Sequence, residues 1–472
     1  MSIQFDDHPH EECGVIGVFA PNEDVARMTF FGLFALQHRG QEAAGIAVAD
    51  GQSMSMYKNI GLVAQVFHPA QLDELKGHYA IGHTRYSTTG SSSVRNAQPF
   101  MIETMKGPLA LAHNGNLLNS AELRQKLLEE GVGLTSSSDT EVMTMMLARQ
   151  KGSTWNERIQ ACMHEWRGAY SLVILTRDCV YAVMDPWGFR PLNVGLLPNG
   201  GYAAASEAGA LRTLGCHAIR EVKPGEIVTL SENALVVHQA LKPVEPSARC
   251  VFEFVYFARP DQVWDNLSVH HVRQRLGEEL ARETNADADV VIPVPDSSIP
   301  AAIGFSRITG IPYNDGFIKN RYIGRTFIEP TDSLRKHGVA MKYNVINDNV
   351  LNKRVLMIDD SIVRGNTMGP MIKLLRDAGA SEVHVAITCP PIAHPCFMGV
   401  DMGVYNDLIA HRRSVNEIKD YIQADSLNFL SIEGMMRAVG RKGGYCQACF
   451  TGKYPLDVDV TTVKTGFERN TK

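Results

Sequence analysis

Two adjacent carboxylates, Asp359 and Asp360, follow directly on a short apolar run at 355–358. Such a run is typical of a strand buried on both faces, so both carboxylates stand where a strand ends. Residues 361–367 come next and are polar, with one glycine; a predicted helix and a second predicted strand at 382–388 follow. This order predicts a strand–helix–strand unit with a ligand site at the carboxyl end of its first strand.

The residue types at this strand end indicate a phosphorylated ribose as the ligand. The stretch matches neither the G-x-G-x-x-G dinucleotide signature nor the Walker loop. Adjacent carboxylates accept hydrogen bonds from vicinal ribose hydroxyls, while a glycine loop with free N–H groups and a hydroxyl suits a 5′-phosphate. The alternative, an aspartate that only caps a helix, accounts for one carboxylate but not for the second or for the loop. The residues predicted to line the phosphate loop are Ser361, Arg364, Gly365, Asn366 and Thr367.

A second apolar run, 290–295, also ends in polar residues, among them Ser297. Oxygen ligands at two neighbouring strand ends suit Mg²⁺, which keeps several waters and shares substrate phosphates. Between the two runs lies the basic stretch KNRYIGRT at 319–326, which begins with Lys319. We predict that it is a loop that closes over a pyrophosphate and excludes water; the alternative is a solvated basic face.

In the first half of the chain, Cys13 opens the apolar stretch CGVIGVFA, which reads as a strand. A single cysteine is most often a core thiol, because free cysteine is among the most buried residue types. Cleavage before Cys13 would, however, give this thiol its own α-amino group, with a pKa of roughly 8, as a base. Residues 1–12 would then be a propeptide.

Further motifs in the first half supply the other groups that such a nucleophile needs. Arg85 in GHTRYST can pair with a carboxylate, and Asp139 in SSSDTE can pair with an ammonium group. Asn114 and Gly115 in AHNGN can offer a side-chain amide and a backbone N–H to a tetrahedral oxyanion. Together these residues predict that Cys13 attacks the side-chain amide of glutamine and releases ammonia.

Length and charge narrow the class of protein. The chain has 472 residues, a net charge of −5 and no apolar run long enough to span a bilayer. We therefore expect no membrane segment, no nucleic-acid partner and, since no secretory signal is present, a cytoplasmic location.

Composition turns polar between residues 231 and 247, where we place the domain boundary. The predicted divisions are 1–12, 13–240, 250–460 and a tail at 461–472.

The chain contains nine cysteines, which in this context indicate reduced thiols or metal ligands. The Cys446 and Cys449 pair is a C-x-x-C signal for two ligands, and Cys250 and Cys396 would complete a tetrahedral set. Spacing leaves zinc, an iron–sulfur cluster and a redox pair with two core cysteines open. Four other thiols read as core residues, namely Cys162, Cys179, Cys216 and Cys389.

Both halves resemble known families. The fragments EECGVIGVF, LQHRGQEAAGI, GHTRYST, AHNGN and DTE are similar to those of class II glutamine amidotransferases, and RVLMIDDSIVRGNT resembles the signature of type I phosphoribosyltransferases, which bind phosphoribosyl pyrophosphate (PRPP). Across essentially its whole length the chain resembles the amidophosphoribosyltransferase family. The resemblance implies an α+β N-terminal nucleophile (Ntn) hydrolase-type glutaminase domain, an αββα sandwich, followed by an α/β type I phosphoribosyltransferase domain. It also implies the first committed step of de novo purine biosynthesis.

The same resemblance assigns roles to the candidate residues. Cys13 is implied as the nucleophile, Asn114 and Gly115 as the oxyanion hole, and Arg85 and Asp139 as the glutamine-binding pair. The implied PRPP ligands are Lys319, Asp359, Asp360 and the loop residues, with Ser297, Asp359 and Asp360 near Mg²⁺. The family branch with a cleaved propeptide carries a [4Fe–4S] cluster, here implied on Cys250, Cys396, Cys446 and Cys449. A homotetramer inhibited by purine nucleotides is also implied.

Three other functions agree with only part of the sequence. A glutamine-dependent enzyme acting on a sugar phosphate would share the first half, but the acidic phosphate motif argues against it. A PRPP-sensing regulator would leave Cys13 without a role and would require a basic DNA-binding segment. A structural protein with a decayed glutaminase is disfavoured by the intact set of Cys13, Arg85, Asn114 and Asp139.

Overall fold

The computed structural model describes residues 13–86, 93–285, 287–320, 342–441 and 443–458. The predicted propeptide, the tail at 461–472 and all of the basic stretch beyond residue 320 lie outside the described residues. In the part of the chain that is described, no helix is long and apolar enough to cross a membrane.

The first half of the chain forms two antiparallel sheets, one of seven strands in the order β11-β9-β10-β1-β4-β2-β3 and one of six in the order β13-β12-β8-β7-β6-β5. In chain order the strands are β1 (Gly14–Phe19), β2 (Ala43–Ala49), β3 (Met54–Ile60), β4 (Tyr79–Arg85), β5 (Phe100–Thr104), β6 (Gly107–Leu117), β7 (Gly168–Thr176), β8 (Val180–Met184), β9 (Asn193–Leu196), β10 (Tyr202–Ala205), β11 (His217–Glu221), β12 (Glu226–Leu230) and β13 (Leu235–Gln239).

Helices cover the outer face of each sheet. The strands that carry Val15 and Val173 are buried on both faces. Apolar side chains such as these two fill the space between the sheets. The helix Val25–Ala35 packs on the seven-stranded sheet, and the helices Ser120–Glu129, Asp139–Arg149 and Trp155–Glu165 cover the six-stranded one. Shorter helices span Val63–Val66, Pro69–Glu74, Val94–Asn96 and Ala208–Thr213. The predicted αββα sandwich is thus confirmed.

Glu141 stands three positions after Ser138, a spacing that predicts a capping box opening a helix, and the start of the helix Asp139–Arg149 differs in detail from that prediction. Ser138 caps it, since its hydroxyl accepts a hydrogen bond from the Thr140 amide at 3.2 Å. Glu141 does not complete a capping box, because its carboxylate accepts bonds from the amides of Thr135 and Ser136, both at 2.7 Å. The capping-box prediction is therefore wrong, although the helix begins where it was expected.

The second half is built on a parallel four-stranded sheet in the order β17-β20-β21-β22. The strands of the second half are β14 (Arg249–Cys250), β15 (Val263–Trp264), β16 (Leu267–Ser268), β17 (Val290–Pro293), β18 (Phe317–Lys319), β19 (Tyr343–Val345), β20 (Arg354–Asp359), β21 (Glu382–Ile387), β22 (Ser426–Phe429) and β23 (Tyr445–Cys446). Its helical segments are Glu253–Phe257, Val269–Glu283, Ile299–Thr309, Asn347–Val350, Met368–Asp377, Tyr405–Asp407, Ile409–Arg412, Val415–Ile422, Ile432–Val439 and Ala448–Thr451.

The predicted strand–helix–strand unit is present as β20, the helix Met368–Asp377 and β21. β17 pairs in parallel with β20, so that Pro293 lies opposite Ile358. The residues that follow the two strands therefore meet at one edge of the sheet, as the sequence predicted. This edge carries the polar side chains described below.

The two halves join through a short stretch that runs along the first half. The predicted polar boundary at 231–247 is partly a strand, because β13 lies within it. The amide of Val244 then donates to the Pro186 carbonyl at 2.8 Å, and that of Ala248 donates to Trp187 at 2.9 Å.

Candidate active sites

Cys13 immediately precedes β1 and is buried. Its thiol donates a hydrogen bond to the Tyr86 carbonyl at 3.4 Å. Burial raises the pKa of the Cys13 thiol to about 11; the Tyr86 contact and the Arg85 charge oppose this shift, while Asp139 and Glu42 add to it. The predicted glutamine-binding pair, Arg85 and Asp139, is therefore close enough to Cys13 to act on its charge.

Arg85 reaches this position because it ends β4, which pairs with β1 so that Thr84 lies opposite Gly14. It is buried and lies 3.8 Å from Glu42, measured from Nη1 to Oε2. The placement follows from strand register, which cannot be read from the GHTRYST motif alone.

Asp139 enters the site as the first residue of its helix. Its Oδ2 accepts a bond from the Leu117 amide at 3.0 Å and lies 3.6 Å from His113 Nδ1. Burial alone would raise the pKa of Asp139, but the charge of His113 and these hydrogen bonds hold it below its ordinary value. The carboxylate is thus ionised at neutral pH.

Asn114 and Gly115 lie in β6, where Asn114 stands opposite Ser171 of β7. The Asn114 side chain is fully buried, and neither of its polar atoms has a hydrogen-bond partner among the described residues. Gly115 has φ +149°, and a Cβ there would lie 2.0 Å from the Ala169 carbonyl oxygen. A buried amide with no protein partner is suited to a ligand, and only glycine fits beside it.

Arg39, which the prediction did not single out, links the Cys13 backbone to the second half of the chain. Its Nε donates to the Cys13 carbonyl at 3.4 Å. Its guanidinium forms buried ion pairs with Glu207 at 2.7 Å and with Glu253 at 2.6 Å. Removing one member of such a network would leave an uncompensated buried charge.

The two carboxylates at the end of β20 are buried and held by serine hydroxyls from both strand ends. Ser297 donates to Asp360 at 2.6 Å, and Ser298 donates to Asp359 at 3.2 Å. Ser361 also donates to Asp360, at 2.7 Å. The structure thus brings the predicted Mg²⁺ residues together, and Ser298 is an additional member that the prediction omitted.

The loop between β20 and the following helix has the glycine conformation that the prediction required. Gly365 has φ +80°, and a Cβ there would meet the Ile409 Cδ1 atom at 2.7 Å. Thr367 directly precedes the helix, Asn366 is exposed, and Arg364 is partly buried. The loop thus offers a helix N-terminus with polar side chains around it.

Lys319 ends β18, and its ammonium group lies 3.0 Å from the Asp296 carboxylate. Both residues line a cleft of about 280 Å³. The first half contributes His38, Arg39 and Gln41 to this cleft, whereas Ser297 and Tyr343 are among those from the second half. The cleft therefore lies between the two halves, at the edge of the parallel sheet.

The four cysteines of the predicted set are neighbours. Cys250 and Cys446 stand opposite each other in the parallel pair β14 and β23. Burial raises the pKa of Cys449, and the nearby Cys250, Cys446 and Cys396 raise it further. Among the described residues, however, no group of three or more His, Cys, Asp or Glu side chains is arranged to hold a metal ion. The donor types suit a metal cluster, while their positions do not converge as a ligand set.

The remaining thiols partly follow the prediction. Cys162, Cys216 and Cys389 are buried, as expected, but Cys179 is only partly so. Cys389 was expected to be an ordinary core residue, yet it lies close to Asp359 and Asp360. Burial raises the pKa of its thiol most, and the charges of Asp360 and Asp359 raise it further.

The functional residues that the prediction missed lie inside or beside motifs it had quoted. Arg39 and Glu42 belong to LQHRGQEAAGI, and His113 belongs to AHNGN. The motifs marked the right segments, but only the fold shows which of their members face the site.

Comparisons with known proteins agree with this division into two sites. Residues 83–213 match the glutamine amidotransferase domain family, and residues 263–397 match the phosphoribosyl transferase domain family. The chain is 48% identical to an amidophosphoribosyltransferase of Synechococcus elongatus over 464 residues, covering 97% of this chain and 94% of the relative. It is 42% identical to the human amidophosphoribosyltransferase over 507 residues, covering 95% and 98% of the two chains.

A solved structure is similar over the same extent. The glutamine PRPP amidotransferase of Bacillus subtilis, in complex with ADP and GMP, superposes with a TM-score of 0.89 at 44% sequence identity, covering 96% of this chain and 99% of that one. With identity of this level over nearly the full length, this chain belongs to the amidophosphoribosyltransferase family.

Proposed function

We propose that this chain converts glutamine, PRPP and water to 5-phosphoribosylamine, pyrophosphate and glutamate, the first step of purine biosynthesis. The observation that carries the proposal is the cleft shared by the two halves. Arg39 lines it and contacts the Cys13 carbonyl, while Ser297 lines it and contacts Asp360. We place the route by which ammonia passes from the thiol to the second site in this cleft.

In the glutaminase half, Cys13 is the proposed nucleophile. Its thiol is protonated at neutral pH, since burial raises its pKa to about 11. A base must therefore take the proton before the thiol attacks. We assign this task to the α-amino group that removal of residues 1–12 would create at Cys13. Freeing this base is the role that we propose for cleavage of the propeptide.

The neighbouring groups are assigned to binding glutamine and stabilising charge. Asp139 is ionised and pairs with the glutamine ammonium group, while Arg85 pairs with the α-carboxylate. The Asn114 amide and the Gly115 N–H donate to the oxyanion that forms when Cys13 attacks. Because Asn114 is already buried and has no hydrogen-bond partner among the described residues, its donor is preorganised for this charge.

In the second half, Asp359 and Asp360 are assigned to the ribose hydroxyls of PRPP. The loop residues Ser361, Arg364, Gly365, Asn366 and Thr367 are assigned to its 5′-phosphate. Lys319 would exchange its Asp296 partner for the pyrophosphate. The hard oxygen donors of Ser297, Asp359 and Asp360 suit Mg²⁺, which when bound would neutralise charge on the departing pyrophosphate.

The nitrogen that reaches the ribose must be neutral ammonia, because ammonium has no lone pair. We propose a sheltered passage between the sites, which would keep ammonia from being protonated in bulk water. The cleft lined by residues of both halves is the proposed location. Closure of the basic loop 319–326 would complete it.

We further propose that Cys250, Cys396, Cys446 and Cys449 bind a [4Fe–4S] cluster. Two facts support this: the four side chains are neighbours, and Cys446 and Cys449 form a C-x-x-C pair. The Met398 amide donates to the Cys396 sulfur at 3.3 Å, a contact that a cluster-ligating thiolate would strengthen. Because the four thiols do not converge as a ligand set, binding of a cluster would require shifts of their side chains.

Assembly and regulation complete the proposal. We propose a homotetramer inhibited by purine nucleotides, and the Bacillus subtilis relative with ADP and GMP bound supports the second part. The free thiols of Cys162, Cys216 and Cys389 agree with a cytoplasmic location. Sedimentation velocity with and without GMP measures the assembly state directly.

Nitrogen tracing tests the proposed reaction. Enzyme given [amide-¹⁵N]glutamine, PRPP and Mg²⁺ at pH 7.5 should transfer ¹⁵N to phosphoribosylamine, even with excess unlabelled ammonium chloride. Absence of ¹⁵N from the product would contradict the reaction itself. Full dilution by ammonium would contradict only the sheltered passage.

A further inference from the structure

Four residues of the second half, Cys396 to Gly399, lie directly against the strand that carries the oxyanion residues. We call them the bridging segment. Three contacts join this segment to β6 and its neighbour β7: one at Gly115, one at Asn116, which follows it, and one at Ala169, which pairs with Asn116. The mechanism proposed above gives none of these contacts a role.

The first contact is a hydrogen bond between side chain and backbone. Asn116 follows Gly115 in β6, and its Nδ2 donates to the Phe397 carbonyl at 2.9 Å. The bond joins positions 281 residues apart in the chain. It therefore fixes the end of the oxyanion strand relative to the second half.

The second contact is a backbone approach that requires glycine. Gly399 has φ +100°, and a Cβ added there would lie 2.8 Å from both the Cα and the carbonyl carbon of Gly115. No real Cβ is found at such a distance from backbone atoms, so any larger residue would displace the Gly115 peptide. The two glycines thus set each other's positions.

The third contact is packing behind the strand. Met398 is buried in the same apolar cluster as Ala169, which pairs with Asn116 in the β6 and β7 ladder. The carbonyl of Met398 accepts a bond from Arg190 Nε at 3.2 Å, and its amide donates to the Cys396 sulfur. The middle of the bridging segment is therefore held on both sides.

We propose that the bridging segment positions the oxyanion donors of the glutaminase half, with Asn116 and Gly399 as positioning residues. This rests on the proposed role of Asn114 and Gly115. Oxyanion stabilisation depends on donors held within a fraction of an ångström, and a displacement of about 1 Å can cost roughly 100-fold in rate. The second half thereby sets the efficiency of a reaction carried out in the first.

The test compares Asn116→Ala and Gly399→Ala in the full-length enzyme. Each should lower kcat of the glutamine-dependent reaction by roughly 10- to 100-fold, leaving KM for glutamine and the ammonia-dependent rate within about twofold. This split separates positioning from general damage, because a purely structural loss would reduce the ammonia-dependent rate as well. If Gly399→Ala does not fold, Asn116→Ala decides the question.

Two matched controls keep the comparison specific. Asn119→Ala removes a similar amide bond, to the Glu165 carbonyl at 3.0 Å, within the first half. Gly440→Ala introduces the same backbone strain, at φ +80°, where the nearest atom is 3.8 Å away. Both controls should retain the kcat of the glutamine-dependent reaction.

Asn114→Ala, measured alongside, separates the two levels of the proposal. If Asn114→Ala loses glutamine-dependent activity while both bridging variants keep it, the bridging role is wrong and the oxyanion role stands. If Asn114→Ala keeps that activity, the oxyanion assignment is wrong and the bridging role falls with it.

Discussion

The buried amide of Asn114 leads to an unusual prediction, in which one substitution lowers activity at little cost in stability. Each buried polar atom without a partner costs roughly 1–3 kcal/mol, and Asn114 has two such atoms among the described residues. Asn114→Ala removes this cost but also loses packing, which we put at roughly 2–3 kcal/mol. Relief of roughly 2–6 kcal/mol for the two atoms, against a packing loss of roughly 2–3 kcal/mol, places the free energy of unfolding between about 1 kcal/mol below and about 4 kcal/mol above that of the parent enzyme.

The same substitution should strongly reduce catalysis. Removing one oxyanion donor typically costs roughly 10²- to 10³-fold in kcat. We therefore expect a loss of that size in the glutamine-dependent reaction, with the ammonia-dependent reaction unchanged. The assays are glutamate release, ammonia-dependent pyrophosphate release and urea denaturation followed by circular dichroism.

Asn193→Ala is the matched control for stability. Asn193 is also a buried asparagine in a strand of the same half, but its Nδ2 donates to the Ser206 carbonyl at 3.1 Å. Its replacement loses similar packing and leaves that carbonyl unpaired, so it should be at least about 2 kcal/mol less stable than Asn114→Ala. Equal losses in the two variants would refute the view that Asn114 is unpaired, and an undiminished glutamine-dependent kcat would refute its catalytic role.

Four further predictions concern the two sites, the cysteine set, and His83, a buried histidine of β4 whose Nε2 lies 3.1 Å from the His113 carbonyl oxygen. Cys13→Ala should abolish glutamine-dependent synthesis but leave ammonia-dependent synthesis, and loss of both in the product assay would show a structural role instead. Asp359→Ala combined with Asp360→Ala should weaken PRPP binding by roughly 100-fold or more in calorimetry; unchanged affinity would contradict the ribose assignment. Burial lowers the pKa of His83 to about 3 from 6.5, so the unfolded chain binds the extra proton below pH 6.5. The free energy of unfolding should therefore decrease by up to about 1.4 kcal/mol per pH unit as the pH falls from 6.5 towards 3. His83→Gln should flatten this slope, as measured by urea denaturation at pH 7 and 5. Cys446→Ser should give a colourless, less stable protein, whereas a brown and active variant would show that Cys446 is not a cluster ligand.

Much of the second half could be predicted because its signals are local. The apolar run before Asp359 can be satisfied only by a strand buried on both faces, and a parallel partner places the next polar residues at the same sheet edge. The strand–helix–strand unit and its carboxylates follow from that pattern. What could not be predicted was the hydrogen bond from Ser298 to Asp359, because it depends on how β17 and β20 align.

Contacts between distant segments were the main omissions. Glu141 fits a capping-box pattern, yet its carboxylate accepts hydrogen bonds from the amides of Thr135 and Ser136 instead. Arg39 pairs with Glu207 and Glu253, which the chain brings together only through tertiary packing. Sequence motifs mark segments, whereas pairings of this kind depend on the packed fold.

The central claim is that both sites work on one reaction. It is tested most directly by measuring glutamate and pyrophosphate release from anaerobically prepared enzyme with glutamine, Mg²⁺ and PRPP, omitting each substrate in turn. Equal release of both products, requiring both substrates, is the result expected from coupled sites. Glutamate release indifferent to PRPP, with no pyrophosphate formed, would contradict the claim.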